Sequence, residues 1–509
     1  MQGSSRRPPP MSSTISSYVG GGGLFPARGL RFNLPRRRCG GYALMKPPWS
    51  PGDKPVSDPQ SYIDRELPRF RSELFDFLRI ASVSARSEHD GDTSRAAEWL
   101  ADRMRDAGLD AEVFPTPGHP VVLGEWRGAG PDAPTLLVYG HYDVQPVEPL
   151  DLWESPPFEP TVRDGRIYAR GSADDKGQLY MHVKAVEAYL RGTGSLPVNV
   201  VVIAEGEEEI GSPNLLPFVE AQRERLGCDT VVVSDSAMFA PGQPSLLFSL
   251  RGLSYVEVHL EGPTSDLHSG AYGGAVVNPA NALAQIVASL HDPDGRVAIP
   301  GFYDDVVEWD AETREKIREL PFDDDEFRDS VGASTLGGEA GFSTLERLWI
   351  RPTCDVCGML SGYTGEGAKT VLPGKAMAKV SFRLVPDQDN ENVMDLFEAH
   401  VGAVASAGVR VTFNRLHGGQ PWRAQLGGRI VEAASRALEA AFDKAPVLVG
   451  EGGSIPIVTD FERVLEAPAL LVGFALPGAN MHAPNEWFPI ENFEKGIRAL
   501  ARLYQELSA

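Results

Sequence analysis

The sequence predicts an α/β fold: a mostly parallel sheet flanked by helices on both faces, interrupted by an inserted α+β domain. Three observations predict it. Short apolar runs at 136–139, 200–204, 231–233 and 470–474 read as strands buried on both faces. Segments of helical period lie between them, the alternation that builds a sheet with helices on both sides. From Arg251 the period switches to two, which marks half-exposed strands of a different sheet.

The elements follow in order. From Ser61, the residues Ile63, Leu67, Phe70, Leu74, Phe77 and Leu78 fall on one face of a 3.6-residue helix. A second helix over 94–107 ends at Gly108, placed as a C-cap. Strands follow at 121–126 and up to His141. After Gly177, Leu179, His182, Val183, Val186 and Leu190 mark a helix that leads to the strand ending at Ala204. Tyr255, Glu257 and His259 then alternate with Val256, Val258 and Leu260, and the stretch 376–384 alternates in the same way. A helix over 279–290 lies between them. A helix over 429–441 and a strand over 469–474 return to the first sheet. The organisation expected is an extension over 1–55, a first domain in two parts (56–249 and 418–509), and an inserted α+β domain over 250–417. The two ends of such an insertion lie close together.

Composition narrows the function. At 509 residues, with 42% hydrophobic and 23% charged residues, the chain resembles ordinary soluble globular proteins of two or three domains. A net charge of −22 argues against nucleic acid and against anionic membranes as partners. No apolar run approaches the ~18–20 residues that span a bilayer. Residues 1–52 hold all their charge as Lys and Arg and are rich in Gly, Pro and Ser. They read as a disordered extension, as sequence upstream of a true start at Met45, or as a transit-like segment. Four cysteines make no disulfide framework. Cys354 and Cys357 form a C-x-x-C with no second pair of ligands, so both read as buried thiols, and this usage suits a cytoplasmic location.

The chemistry lies just beyond the apolar runs. His141 and Asp143, two apart at a strand end, leave the same face, and Asp143 is placed to support His141 as a metal ligand. Asp174, within Arg170-Gly171-Ser172-Ala173-Asp174-Asp175-Lys176-Gly177, can bridge two cations with its two oxygens. Glu207, Glu208 and Glu209 follow an apolar strand as adjacent carboxylates that repel one another unless cations or solvent compensate. Asp235 follows 231–233, and His482 follows the last run. Ligands of such sheets gather beyond the carboxyl ends of the strands. Separate stretches thus bring His, Asp and Glu to one edge of one sheet, as a two-metal hydrolase site requires.

With these motifs in hand, the chain resembles the co-catalytic metallopeptidases that include carnosinases, bacterial dipeptidases, succinyl-diaminopimelate desuccinylase, aminoacylase and carboxypeptidase G. Their order and spacing match over residues 60–505, and the carnosinase-like dipeptidase branch matches best. Further segments carry the likeness: Asp266-Leu267-His268-Ser269-Gly270, Arg383-Leu384-Val385-Pro386 and Glu451-Gly452-Gly453-Ser454-Ile455-Pro456. The resemblance implies His141 and Asp235 on one metal, Glu209 and His482 on the other, and Asp174 between them. The ions would be two divalent cations, zinc foremost, with manganese or cobalt as alternatives. It implies Glu208 as general base in hydrolysis by a metal-bridged hydroxide, supported by Asp143, with Glu207 at a variable position. It also implies that the divided domain (56–249 and 418–509) is catalytic and that the inserted one (250–417) is a lid and dimerisation domain, from which His268 would reach the partner subunit's active site in a homodimer. Arg383 and Ser454 would hold the carboxylate of a small peptide substrate, with Glu451 beside them. The expected activity is that of a dipeptidase on small unblocked peptides; the alternative is an N-acyl amino-acid amidohydrolase of the desuccinylase or deacylase type.

Overall fold

The structure, a computed structural model, describes residues 58–425 and 427–508. The extension expected over 1–55 lies outside the described residues. The first helix, Pro59–Leu78, begins where the Asp58 carboxylate accepts the Ser61 N–H and Pro59 supplies a pre-set first turn. The helix Asp90–Ala107 stops at Gly108, whose φ of 109° only glycine adopts without strain.

A six-stranded sheet runs in the order Asp110–Phe114, Val121–Trp126, Asn199–Glu205, Thr135–His141, Thr230–Val233, Ala469–Leu471. The last four strands are parallel and the first two antiparallel. Side chains of the parallel strands alternate between two cores. Leu136, Val138, Val200, Val202 and Val232 face one, and Leu137, Tyr139, Val201, Ile203, Val231 and Val233 face the other. This two-sided burial is why the runs read as unbroken apolar stretches. The last strand is shorter than the expected 469–474. Val472 still donates its N–H to Val233, but the Phe474 N–H turns to Gln178 Oε1 at 2.7 Å, which draws the chain off the sheet.

The helix Lys176–Gly192 is buried on every side but Arg191, because the helices Pro59–Leu78, Asp90–Ala107 and Ile490–Ser508 all pack on it. Its polar residues are therefore paired: Lys184 Nζ lies 2.6 Å from Glu73 and 2.7 Å from Glu187.

A second sheet, antiparallel throughout, runs in the order Thr353–Ser361, Lys375–Leu384, Gly252–Glu261, Arg410–Gly419. One face carries Val256, Val258, Leu260, Val380 and Phe382 into a third core, shared with the helices Pro279–Ala288 and Asn390–Val404. The other face stays half-exposed and carries Glu257, His259 and Lys379. Within the same span, Trp309, Ile317, Leu345 and Trp349 pack on the second core of the six-stranded sheet beside Phe248 and Val449. There the buried Glu346 carboxylate meets Arg314 at 2.5 Å and Arg318 at 3.2 Å. Cys354 is buried as expected, but Cys357 is exposed. The two lie three apart on the edge strand Thr353–Ser361, so their side chains take opposite faces of the sheet. Among the described residues, no helix is long and apolar enough to cross a membrane.

Candidate metal centre

His141 closes the strand Thr135–His141 and is fully buried. Its Nδ1 faces the Asp143 carbonyl oxygen at 3.1 Å and the Asp143 carboxylate at 3.4 Å. Nε2 is left aimed at Asp174 at 3.0 Å and at Asp235 at 3.8 Å. Asp143 does a second job. Its two oxygens accept the N–H groups of Glu208 at 3.3 Å and Glu209 at 3.1 Å, fixing the turn that carries both carboxylates.

Asp174 lies between two histidines. One oxygen is 3.0 Å from His141 Nε2 and the other 2.9 Å from His482 Nε2. His482 Nε2 also lies 3.2 Å from Glu209 Oε2, to which Gln145 Nε2 donates at 2.7 Å. Two clusters result, His141/Asp174/Asp235 and Asp174/Glu209/His482, each with its ligand atoms within 4.8 Å of one another. Close packing makes this geometry. A Cβ at Gly140 would lie 2.7 Å from Asp175 Oδ2, so only glycine lets the Asp174–Asp175 segment reach the strand end; Asp175 Oδ2 there accepts the His141 N–H at 3.2 Å.

The electrostatics call for cations. At about 4 Å, each pair of like charges costs roughly 4 kcal/mol at an effective dielectric of 20. Asp174, Glu208, Glu209 and Asp235 face one another with only two imidazoles between them. Burial, then the Asp174 charge, pushes Asp235 up to about 7. Glu208 is raised well above the carboxylate range, by burial first and then by Asp235, Glu209 and Asp174, against the pull of His141. His482 rises to about 10 through its contacts with Asp174 and Glu209. Burial works against a charged His141, yet bonds to Asp143 and Asp174 hold its pKa well above normal. Burial would raise Asp174, but the two histidines hold it below its ordinary value. The donor spacing also fits. Tetrahedral bonds of about 2.0–2.2 Å need donors roughly 3.3–3.6 Å apart, and the histidine–carboxylate spacings here run from 2.9 to 3.8 Å.

A cavity of about 290 Å³ opens on these groups, lined by Asp174, Glu208, Asp235, Ser236, Glu451, Ser454, Met481 and His482. Arg383, from the second sheet, donates to Ser454 Oγ at 3.2 Å, and Ser454 Oγ in turn donates to the Arg251 carbonyl. Arg251 Nε donates to the Gly452 carbonyl at 3.2 Å. Every residue expected at the site except His268 thus converges here. His268 lies on the two-residue strand Leu267–His268, exposed, its Nδ1 accepting the Gly270 N–H at 3.0 Å, and it does not line this cavity.

Several site residues escape sequence reasoning. Glu207 is buried and holds the neighbouring loops through His119 N–H at 3.0 Å and Asn214 Nδ2 at 2.8 Å. Glu205 accepts Tyr139 and Ser212 hydroxyls, both at 2.8 Å. Glu486 accepts Arg170 Nη1 at 2.8 Å and the N–H groups of Gly171, Ala173 and Asp174 at 2.9, 2.8 and 3.2 Å. The acidic run signals Glu207, although the family pattern is variable at that position; Glu486 follows no strand and has no charged neighbour in sequence to mark it.

Residues 137–506 match the model of peptidase family M20/M25/M40. The Cys-Gly metallodipeptidase dug1 of Schizosaccharomyces pombe is 33% identical over 466 residues, 88% of this chain and 97% of that protein. The Beta-Ala-His dipeptidase of Rattus norvegicus is 30% identical over 449 residues, 87% and 89% of the two chains. Among solved structures, an M20 family metallo-carboxypeptidase from Sulfolobus solfataricus superposes with a TM-score of 0.77 at 34% identity, covering 86% of this chain and 99% of its own.

Proposed function

The chain belongs to peptidase family M20/M25/M40, and on that premise we propose that it is a metal-dependent dipeptidase of small unblocked peptides. As a member of the family it is a metallopeptidase, a hydrolase acting on peptide bonds. The observation that carries the narrower reading is a single cavity holding both parts of the reaction. Two ligand sets share Asp174 at its floor, and Ser454, backed by Arg383, stands at its wall. At about 290 Å³ the cavity is of the size of a small-molecule site. The metallodipeptidase names of the Schizosaccharomyces and Rattus relatives support the same choice over an N-acyl amidohydrolase.

His141 and Asp235 would hold one cation, Glu209 and His482 the other, and Asp174 would bridge them. Two divalent cations, zinc foremost, with manganese or cobalt as alternatives, would supply Lewis acidity and lower the pKa of bound water. Glu208 lines the cavity outside both ligand sets, where it takes the proton of the attacking water and delivers it to the leaving amine. Asp143 keeps the Glu208–Glu209 turn and His141 in register. Arg383 and Ser454 grip the substrate's terminal carboxylate, Arg through a fork of donors that Lys cannot copy. Glu451 contacts the substrate from the same wall.

His268 serves the oxyanion from a second copy of the chain, in a homodimer formed through the second sheet. Two facts support this: His268 is exposed and away from its own cavity, and the sheet's edge strand exposes Val356, Met359 and Leu360. Such an edge is a ready pairing surface. Three free cysteines among the described residues support a reducing, cytoplasmic setting.

The test is a mass-spectrometric time course with zinc-reconstituted protein on a pool of unblocked dipeptides, longer peptides and N-acyl amino acids. Loss of the dipeptides first is expected. Trimming of long peptides from the carboxyl end would point to a carboxypeptidase, and loss of only the acylated compounds to a deacylase.

A further inference from the structure

The loop that carries His482 is held in a costly conformation. Asn480, His482 and Asn485 have φ values of 55°, 63° and 61°, the left-handed region that side chains disfavour, and the His482 side chain is 59% exposed. Such a backbone persists only where its surroundings over-determine it. Two neighbouring residues supply the hold. On the outside, Asn485 accepts the Glu154 N–H and donates to the Leu152 carbonyl, both at 2.8 Å. On the inside, the Glu486 carboxylate is fully buried, pairs with the buried Arg170 guanidinium at 2.8 Å and accepts three N–H groups of one loop, those of Gly171, Ala173 and Asp174. The Glu486 carbonyl also accepts the Ala169 N–H at 3.1 Å. One residue thus ties the loop of His482 to the loop of Asp174, across 312 positions of chain.

We propose that Glu486 is a positioning residue that makes these two loops one rigid unit and thereby assembles the Asp174/Glu209/His482 cation position. The other position, His141/Asp174/Asp235, depends on it less. His141 and Asp235 extend directly from strands, and the Asp174 segment keeps the bonds from Gln178 Nε2 to the Ala173 carbonyl at 2.8 Å and from the His141 N–H to Asp175. At the second position both the shared Asp174 and the exposed His482 are set by Glu486. Outer partners of metal ligands of this kind are worth 10–100-fold in metal affinity.

This inference rests on the two ligand sets proposed above. Zinc would be titrated calorimetrically, against a competing chelator, into the full chain stripped of metal. Wild type should take up two ions, and His482→Ala, which loses one of them, identifies the second step. Glu486→Gln keeps the volume of the side chain but loses the charge and half of its acceptor capacity. It should weaken the second step about 10–100-fold, the first at least tenfold less, with activity restored by excess zinc. Glu486→Asp keeps the charge and draws the carboxylate back by one methylene from the loop N–H groups, so it carries the test if Glu486→Gln fails to fold; it should weaken the same step about three- to tenfold. Two unchanged steps, or two steps weakened alike, would overturn the role of Glu486. A wild type that takes up fewer than two zinc ions would overturn the ligand sets themselves.

Discussion

Replacing Glu208 with Gln removes one proton acceptor and almost nothing else. The side chain keeps its volume, so no cavity opens, and the Glu208 N–H still reaches Asp143 at 3.3 Å. Glu208 belongs to neither ligand cluster, so metal content should stay near that of wild type. What is lost is the base. A positioned general base contributes about 10²–10⁴ in rate, equal to about 2.7–5.4 kcal/mol at 1.36 kcal/mol per decade. The structure favours the upper half of that range, because no other carboxylate lines the cavity outside the ligand clusters except Glu451, which stands on the wall near Ser454. The assay is kcat at saturating dipeptide, with metal counted on the same sample by mass spectrometry. A fall of about 10³–10⁴ with metal retained is expected. A variant within tenfold of wild type, or one whose loss of rate tracks loss of metal, would refute the assignment.

Arg383→Lys keeps the charge but loses the planar fork, so KM for dipeptides should rise about tenfold or more with kcat nearly kept; C-terminally amidated substrates should lose much less, and an equal effect on both would remove Arg383 from the carboxylate site. His182 is buried against Ser234 Oγ at 2.8 Å, and burial drops it to about 3. The unfolded chain, titrating near 6.5, binds a proton that the folded chain refuses, so stability falls as pH drops through this window, by about 2 kcal/mol between pH 6.5 and 5. His182→Gln should flatten that part of the stability profile, read by denaturant unfolding at both pH values. Finally, His268→Ala and Glu208→Gln chains, each inactive alone, should regain part of the wild-type rate when co-assembled; no rescue would count against a residue that acts across the dimer.

Much of the site was legible because its residues sit at the ends of strands that read as strands. His141, Glu208, Glu209 and Asp235 each follow a run whose two faces are both buried, and two-sided burial leaves an unmistakable apolar stretch. Asp174 and His482 lie on loops, and only their combination with the others, and with the family pattern, marked them. Glu486 was not legible. Its partners are backbone N–H groups more than 300 residues away in sequence, and hydrogen bonding to backbone leaves no trace in side-chain pattern. The helix Lys176–Gly192 was legible as a helix but not as a fully buried one, since its polar residues are satisfied by residues on other elements, such as Glu73. Cys357 misled for a local reason: it lies three residues after Cys354 on one strand, and an odd spacing puts the two side chains on opposite faces, so only one of them can be buried. The strand expected over 469–474 ended early because a side-chain acceptor, Gln178, took the N–H that a longer strand would have given to its neighbour.

The central claim is that two cations share Asp174, and anomalous diffraction from crystals of the zinc-loaded protein tests it most directly. The account predicts two peaks on either side of the Asp174 carboxylate, one against His141 and Asp235 and the other against Glu209 and His482. A single peak, or two peaks not joined by Asp174, would contradict it.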